Sequence, residues 1–426
     1  MTGALTSIGL LLALLGLGVP MISALLAAVA LAFLLGGQWS MMIPQSMISG
    51  MSTFTLLSLP LFVLAGALMN AGGLSGRLFD FARSLVGWMR GGLAHVNVLS
   101  SMFFGGMVGS SSADLAGSGS VIIPAMKKEG YPAEVAAAVS ASSSGIGPLI
   151  PPSSPMILYS AVTGTSLGAL FLAGLIPGIL LGVVFMLVVA FLARRQGWKT
   201  HGAFSWGEIG RSGRGALLAF GMPAIIVGGL VAGVFTPSEG GAFGVAYALF
   251  LSVAVYRSLN WKQVYRVFAS AVQTTGELLL IVSLSAAFGA SLSSAHVPQA
   301  LGDLISLVSF GDGLFLKILF LMALAIIAGM FLDPLIPVFV PVVLPALLAF
   351  DIDLIHFGTL MVMAVVIGQL TPPLAMSVII VSRIANADQI RIIRANMPFL
   401  IAILAFTVLL IAVPSLSTWL PAVALN

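Results

Sequence analysis

The sequence predicts an all-α, multi-pass membrane protein built as an inverted repeat, with two re-entrant helical hairpins and two broken helices. Three observations carry this expectation. Of 426 residues, 59% are hydrophobic and only 7% charged, against roughly 25% charged in a soluble domain. Long apolar segments recur along the whole chain, and each spanning helix needs about 20 such residues, which leaves room for roughly ten to fourteen spans. Motifs containing Gly and Pro also recur at a nearly constant offset between the two halves.

Composition removes several functional classes. The net charge of +4 is small and scattered, so it reads as membrane topology and gives no sign of nucleic-acid binding. There is no cysteine, which excludes disulfide scaffolds, thiol nucleophiles and cysteine-ligated metals. Residues 1–15 lack a basic n-region and run into further apolar sequence, so they are read as part of the membrane domain. No metal-ligand spacing, nucleophile–base set or phosphate loop supports an enzyme.

In chain order, apolar segments fall at about 4–36, 54–71, 93–128, 133–163, 166–193, 215–236, 240–256, 264–294, 314–350, 357–386 and 397–420. Segment 4–36 is either one helix kinked at Pro20 or two short spans, and the repeat favours two. Segments 93–128, 133–163, 314–350 and 357–386 are interrupted. Basic loops mark the cytoplasmic face: Arg77, Arg83 and Arg90; Lys127 and Lys128; the central stretch with Arg194, Arg195, Lys199, Arg211 and Arg214; Arg257, Lys262 and Arg266; and Arg383, Arg391 and Arg394. These loops share one face if 93–128 enters and leaves on the same side. The loop closing 314–350 is acidic, with Asp351 and Asp353, so the two hairpins enter from opposite sides.

An inverted repeat leaves similar residues in register. Gly147-Pro148-Leu149-Ile150-Pro151-Pro152 and Gly368-Gln369-Leu370-Thr371-Pro372-Pro373 share G-x-L-x-P-P at an offset of 221, as do Pro124-Ala125 and Pro345-Ala346. Gly66-Ala67 and Gly289-Ala290 match at 223, as do Leu78 and Asp80 with Leu301 and Asp303.

The breaks direct attention to chemistry. Pro151-Pro152 deprives the carbonyls of Gly147 and Pro148 of helical donors, and Pro372-Pro373 does the same to Gly368 and Gln369. At membrane depth such carbonyls need protein, water or an ion. With the flanking hydroxyls of Ser142, Ser143, Ser144, Ser153 and Ser154 in one half and Thr371 and Ser377 in the other, they form two oxygen-only clusters suited to sodium. The hairpin turns face them. Gly109-Ser110-Ser111-Ser112-Ala113-Asp114 is small and polar, and the helix after it can present backbone N–H groups to an anion. In Gly329-Met330-Phe331-Leu332-Asp333-Pro334, Asp333 reads as an N-cap before an N1 proline or as a functional intramembrane carboxylate. Glu239 fits a capping box with Thr236. Glu277, within 264–294, has no cap to explain it. His95 and His296 fall near segment ends and read as interfacial hydrogen-bonding residues.

Together, Gly106 to Asp114, Gly147 to Pro155, Phe235-Thr236-Pro237-Ser238-Glu239 and Gly368 to Pro373 resemble the large membrane subunit of tripartite ATP-independent periplasmic (TRAP) transporters, the DctM-like family. The similarity covers essentially the whole chain, although Ser238 and Gly240-Gly241 stand where the motif commonly has Thr and Ala-Ala. The resemblance implies an elevator-type fold of the ion-transporter superfamily in a bacterial inner membrane. It further implies sodium-coupled uptake of an organic acid, such as a C4-dicarboxylate or sialic acid, delivered by a periplasmic substrate-binding protein. A separate small four-helix membrane subunit is the implied partner.

Under this reading 93–163 and 314–386 form the transport domain, while 1–92, 164–313 and 387–426 form the scaffold. Substrate is expected at Ser110, Ser111, Ser112, Asp114, Ser153, Ser154 and Asp333. At least two sodium ions are expected at Ser144, Gly147, Pro148 and Pro151, and at Gly329, Asp333, Gly368, Gln369, Thr371 and Pro372. The alternative is a stand-alone sodium/dicarboxylate symporter of the same superfamily.

Overall fold

The structure, a computed structural model, describes residues 2–36, 42–198, 200, 203–308 and 313–425; Lys199, assigned above to the central basic stretch, lies outside them. The described residues are helical apart from turns and a lone bridge between Arg90 and Thr200. Among the described residues, six helices are long and apolar enough to cross a bilayer: Phe54–Ala71, Leu167–Arg195, Trp206–Val231, Pro237–Val255, Trp261–Ser294 and Gln389–Ala412. The chain is therefore a multi-pass membrane protein.

Segment 4–36 resolves into two helices, Thr2–Gly16 and Met21–Gly36, packed against each other. Gly18, at φ 81° between them, takes a conformation open to glycine. Two stretches read as basic loops are largely helical. Leu74–Val86 buries Leu74, Leu78 and Ala82 at four-residue spacing, so its arginines ride on an amphipathic helix rather than a loop. Arg194 and Arg195 close the helix Leu167–Arg195, and Arg211 and Arg214 lie on Trp206–Val231, capped by Ser205.

The first hairpin runs down Gly92–Val108, turns at Gly109 and Ser110, and returns through Ser111–Asp114, a π-helical turn at Leu115–Gly119 and Ser120–Lys128. The first broken helix follows as Ala133–Ser144, a 3-10 turn at Gly147–Leu149, and Ser154–Thr163. The second unit repeats this plan. Its hairpin is Leu314–Gly329 and Ile336–Ala349, and its broken helix is Leu354–Leu370 and Met376–Ala385. Helix starts keep the register read from the motifs: Leu74 and Val297 are 223 apart, Ala133 and Leu354 are 221 apart, and Leu167 and Gln389 are 222 apart.

Two matched glycines have a packing cause. A Cβ on Gly66 would lie 3.1 Å from the Val108 Cα in the first hairpin, and one on Gly289 would lie 3.1 Å from Pro341 Cβ in the second. Each lets a long flanking helix approach the hairpin of its own half. The core sits where the broken helices meet. Residues 136–149 and 356–368 are buried without interruption, as expected of helices surrounded by protein on every side. They touch where a Cβ on Gly145 would lie 2.3 Å from Val366 Cγ1.

The repeats also exchange contacts. Ser154–Thr163 packs on Ile336–Ala349, while Met376–Ala385 packs on Ala133–Ser144 and the return arm of the first hairpin. Lys127 Nζ donates to the Ala385 carbonyl at 2.6 Å, placing a cation at a helix C-terminus. Leu167–Arg195 and Gln389–Ala412 pack against each other and against both broken helices.

Candidate ion and substrate site at the hairpin tips

At the first tip, Gly109 ends the descending arm at φ 59°, and a Cβ there would fall 1.9 Å from the Pro152 carbonyl oxygen. Only glycine permits this approach. The tip is tied to the break by Ser154 N–H, which donates to the Gly109 carbonyl at 3.3 Å. One turn earlier, a Cβ on Gly105 would lie 3.0 Å from Gly147 Cα, so the arm and the G-x-L-x-P-P motif meet backbone to backbone.

The proline-freed carbonyls of this unit do not remain free. Gly147 O accepts from Ile150 N–H at 3.2 Å, and Pro148 O accepts the Ser153 hydroxyl. Ser153 is also the N-cap of Ser154–Thr163, accepting from Met156 N–H at 3.3 Å. Ser144 Oγ donates to Ala141 O at 2.8 Å and Ser143 Oγ to Val139 O at 2.7 Å. Each proline-freed carbonyl thus has one protein donor, because the backbone tightens to a 3-10 turn and a serine hydroxyl reaches back.

Buried oxygens without a partner among the described residues lie on both arms of this hairpin. Asp114 does not cap a helix. One carboxylate oxygen accepts the Ser118 hydroxyl while the other, Oδ2, is buried without a partner among the described residues. Ser111 Oγ and Ser100 Oγ are likewise buried and unpartnered. Ser110 Oγ and Ser112 Oγ lie 3.1 Å apart at the turn. Of the residues predicted for substrate in this half, Ser110 to Asp114 form one continuous tip, with Ser154 joined to it through Gly109.

The second tip assembles its predicted residues more directly. The return arm begins at Ile336 with Leu335 as its cap residue and no side-chain cap bond, so Asp333 is not the N-cap that its sequence context suggested. Its carboxylate faces the second broken helix, where Gln369 Nε2 donates to Oδ2 at 3.3 Å. Gln369 Oε1 is buried with no partner among the described residues. A Cβ on Gly368 would lie 2.4 Å from Gly329 O, which repeats the glycine-on-glycine approach of Gly105 and Gly147. Thr371 Oγ1 returns to Ile367 O at 2.7 Å, and Thr371 N–H serves Gly368 O at 3.2 Å. Pro372 and Pro373 are exposed, whereas Pro151 and Pro152 are buried. A carboxylate, an amide oxygen and closely held backbone oxygens form a donor set that fits a hard cation.

The remaining candidates separate clearly. Glu239 completes its capping box: Thr236 N–H donates to Glu239 Oε2 at 2.8 Å, and Glu239 N–H to Thr236 Oγ1 at 3.4 Å. Glu277 is exposed and accepts from Gln273 Nε2 at 3.1 Å. His296 is exposed between helices. His95, by contrast, is buried in the first turn of its helix with Nδ1 unpartnered among the described residues.

Sequence reasoning missed two polar contacts and one close approach in this region. Asn396 on Gln389–Ala412 accepts the Ser142 hydroxyl. Asn97 Nδ2 donates to Ser140 Oγ at 2.6 Å. A Cβ on Gly117 would lie 2.6 Å from Asn70 Oδ1. Asparagines inside apolar segments were the available signal, since a buried amide needs a partner.

Known proteins share this plan. Residues 8–416 match the family described as "Tripartite ATP-independent periplasmic transporter, DctM component". The chain is 37% identical over 379 residues to the sialic acid TRAP transporter large permease protein SiaM of Vibrio cholerae, covering 88% of each chain. It is 35% identical over 370 residues to the C4-dicarboxylate large permease DctM of Pseudomonas aeruginosa, covering 86% of each. It is also 35% identical over 422 residues to the ectoine/5-hydroxyectoine large permease UehC of Ruegeria pomeroyi, covering 98% of this chain and 97% of that one. The crystal structure of the Alcanivorax borkumensis YdaH transporter superposes with a TM-score of 0.63 over 88% of each chain at 14% identity, a likeness of fold alone. The fold, the paired breaks and these relatives agree that the chain belongs to the DctM family, a membrane component of tripartite ATP-independent periplasmic transporters.

Proposed function

We propose that this chain is the large permease of a sodium-coupled transporter that takes up an organic acid handed over by a periplasmic substrate-binding protein. A small four-helix membrane subunit completes the assembly in a bacterial inner membrane. Relatives named for sialic acid, C4-dicarboxylates, 2,3-diketo-L-gulonate and ectoine have different substrates, yet each of those compounds carries a carboxylate. A carboxylate-bearing solute is therefore the substrate class.

The observation that carries the proposal is the pairing of two hairpin tips, each pinned by a glycine contact to the break of its own broken helix. Substrate would bind between the tips, against Ser110, Ser111 and Ser112 and the N-terminal end of Ser154–Thr163. One sodium ion would take Asp333, the Gln369 side-chain oxygen and the backbone oxygens of Gly329 and Gly368. A second would draw on the buried oxygens around Asp114. Ions and substrate together would compensate polar groups that otherwise resist passage through hydrocarbon, which gives coupling a physical cause.

Movement in this scheme is an elevator displacement of the two hairpin–broken-helix units against the flanking helices. The packing of Leu167–Arg195 and Gln389–Ala412 on both broken helices, with Asn396 bonded to Ser142, favours including them in the moving body beyond the 93–163 and 314–386 segments. Moving these helices with the body avoids breaking a buried polar contact at each cycle.

Reconstitution tests the proposal: the chain with its small subunit in liposomes, scored for uptake of a labelled sialic acid or dicarboxylate. Uptake that requires both an inward sodium gradient and the binding protein supports it. Sodium-driven uptake of free solute without the binding protein would assign the chain to the stand-alone symporters. Indifference to sodium would refute coupling.

A further inference from the structure

The helix Trp261–Ser294 is the longest of the fold at 34 residues. Its second half is built into the core, with Ile281 through Ser285 all buried. Its first half buries only Val264, Ala271 and Thr275. Arg266, Ser270, Gln273, Thr274 and Glu277 are exposed and recur at steps of three and four residues, so they form one polar stripe along an otherwise apolar face. Val272, at 70% exposure, and Leu280, at 41%, flank the stripe.

The depth of Glu277 makes this stripe costly in lipid. Arg257, Lys262 and Arg266 mark the entry of the helix by the positive-inside rule, and Trp261 and Tyr265 are 73% and 75% exposed, as in an interfacial aromatic belt. Glu277 lies eleven residues beyond Arg266, about 16 Å of helical rise, which for a helix running along the bilayer normal is near the middle of a hydrocarbon core about 30 Å thick. An outward-facing carboxylate there needs a donor stronger than the Gln273 amide, its contact at 3.1 Å. Gly276, exposed beside it, removes the side-chain bulk that would hold a second helix away.

We infer that the Ser270–Gln273–Glu277 stripe is a docking seam for a membrane-spanning helix of another chain that brings a lysine or arginine to Glu277 at mid-membrane. Charge complementarity selects this occupant: an apolar helix would leave the carboxylate uncompensated. Resting on the tripartite reading, the inference identifies that chain as the small membrane subunit.

The test co-expresses tagged permease with its small subunit and measures retention of the subunit after purification. Glu277→Lys is expected to lower retention at least tenfold, Glu277→Gln to lower it less, and a Lys→Glu or Arg→Glu exchange on the small subunit to restore binding to Glu277→Lys. Because the chain contains no cysteine, Gly276→Cys gives a clean probe: paired with single cysteines placed in turn on the membrane helices of the small subunit and treated with a bis-maleimide that alkylates both thiols, it is expected to cross-link to that subunit. Undiminished retention in Glu277→Lys overturns the seam, and so does a Gly276→Cys cross-link between two copies of the permease. Wild-type permease that retains no small subunit refutes the tripartite reading itself, and with it the occupant.

Discussion

The two hairpin–broken-helix units share a backbone plan and differ in chemistry. In the first, Ala133–Ser144 is rich in Ala and Ser, its prolines are buried, and the carbonyls that they expose find donors in Ile150 and Ser153. In the second, Leu354–Leu370 is nearly all apolar, its prolines are exposed, and a carboxylate–amide pair, Asp333 and Gln369, stands at the break. Both breaks close their first glycine carbonyl with a local N–H, but only the second sets a carboxylate and an unpartnered amide oxygen beside it. A shared G-x-L-x-P-P motif specifies where a helix breaks, while the neighbouring hydroxyls and acids decide what the break can bind.

Substitutions at the tip and break of each unit should expose this difference. The largest effect is expected at Gly109, where alanine meets both a positive φ and the Pro152 carbonyl. Gly109→Ala should cost about 3 kcal/mol or more, read as loss of folded protein or a large drop in the detergent unfolding midpoint. Gly368→Ala in the second unit meets only the Gly329 carbonyl, has an ordinary φ, and should cost about 1–3 kcal/mol. Equal losses would show that the two joints are equally tight.

Ser153→Ala should cost about 1–3 kcal/mol, because it leaves the buried Pro148 carbonyl without its donor and removes a cap. At the second break, Thr371→Ala removes a hydroxyl that only returns to its own helix and should cost less than about 0.5 kcal/mol. A Thr371 effect as large as that of Ser153 would mean that the second break also depends on a hydroxyl joint. The smallest effect is expected far from both tips. Thr236→Ala should cost about 1 kcal/mol through its cap and leave the sodium dependence of uptake unchanged, since Glu239 serves the same cap. An altered sodium dependence would give Glu239 a role in transport.

Much of the fold was legible because it rests on periodic or repeated signals. The register between Gly147 and Gly368 carries through to helix starts at Ala133 and Leu354, and Gly66 and Gly289 mark equivalent close approaches. The amphipathic helix Leu74–Val86 was legible in its Leu74, Leu78 and Ala82 spacing but hidden by its arginines. The site was read less completely. Asp333, Gln369, Gly329 and Gly368 come together as expected, whereas Ser144, Gly147 and Pro148 find protein partners. The contacts Ser142–Asn396 and Lys127–Ala385 join residues 254 and 258 positions apart, and no local spacing encodes such a reach. Nor does a proline reveal whether a serine will replace the donor it removes.

The inequality of the two units is tested most directly by sodium titration of uptake in proteoliposomes that contain the small subunit, with binding protein supplied. Asp333→Asn should raise the sodium concentration for half-maximal uptake at least tenfold, because the amide removes the charge and one of its oxygen acceptors, while Ser144→Ala should leave it within about threefold of wild type, a change worth under about 0.7 kcal/mol. The opposite pattern, with Ser144→Ala shifting the titration and Asp333→Asn leaving it in place, would contradict an open ion site in the second unit and return the ion to the first.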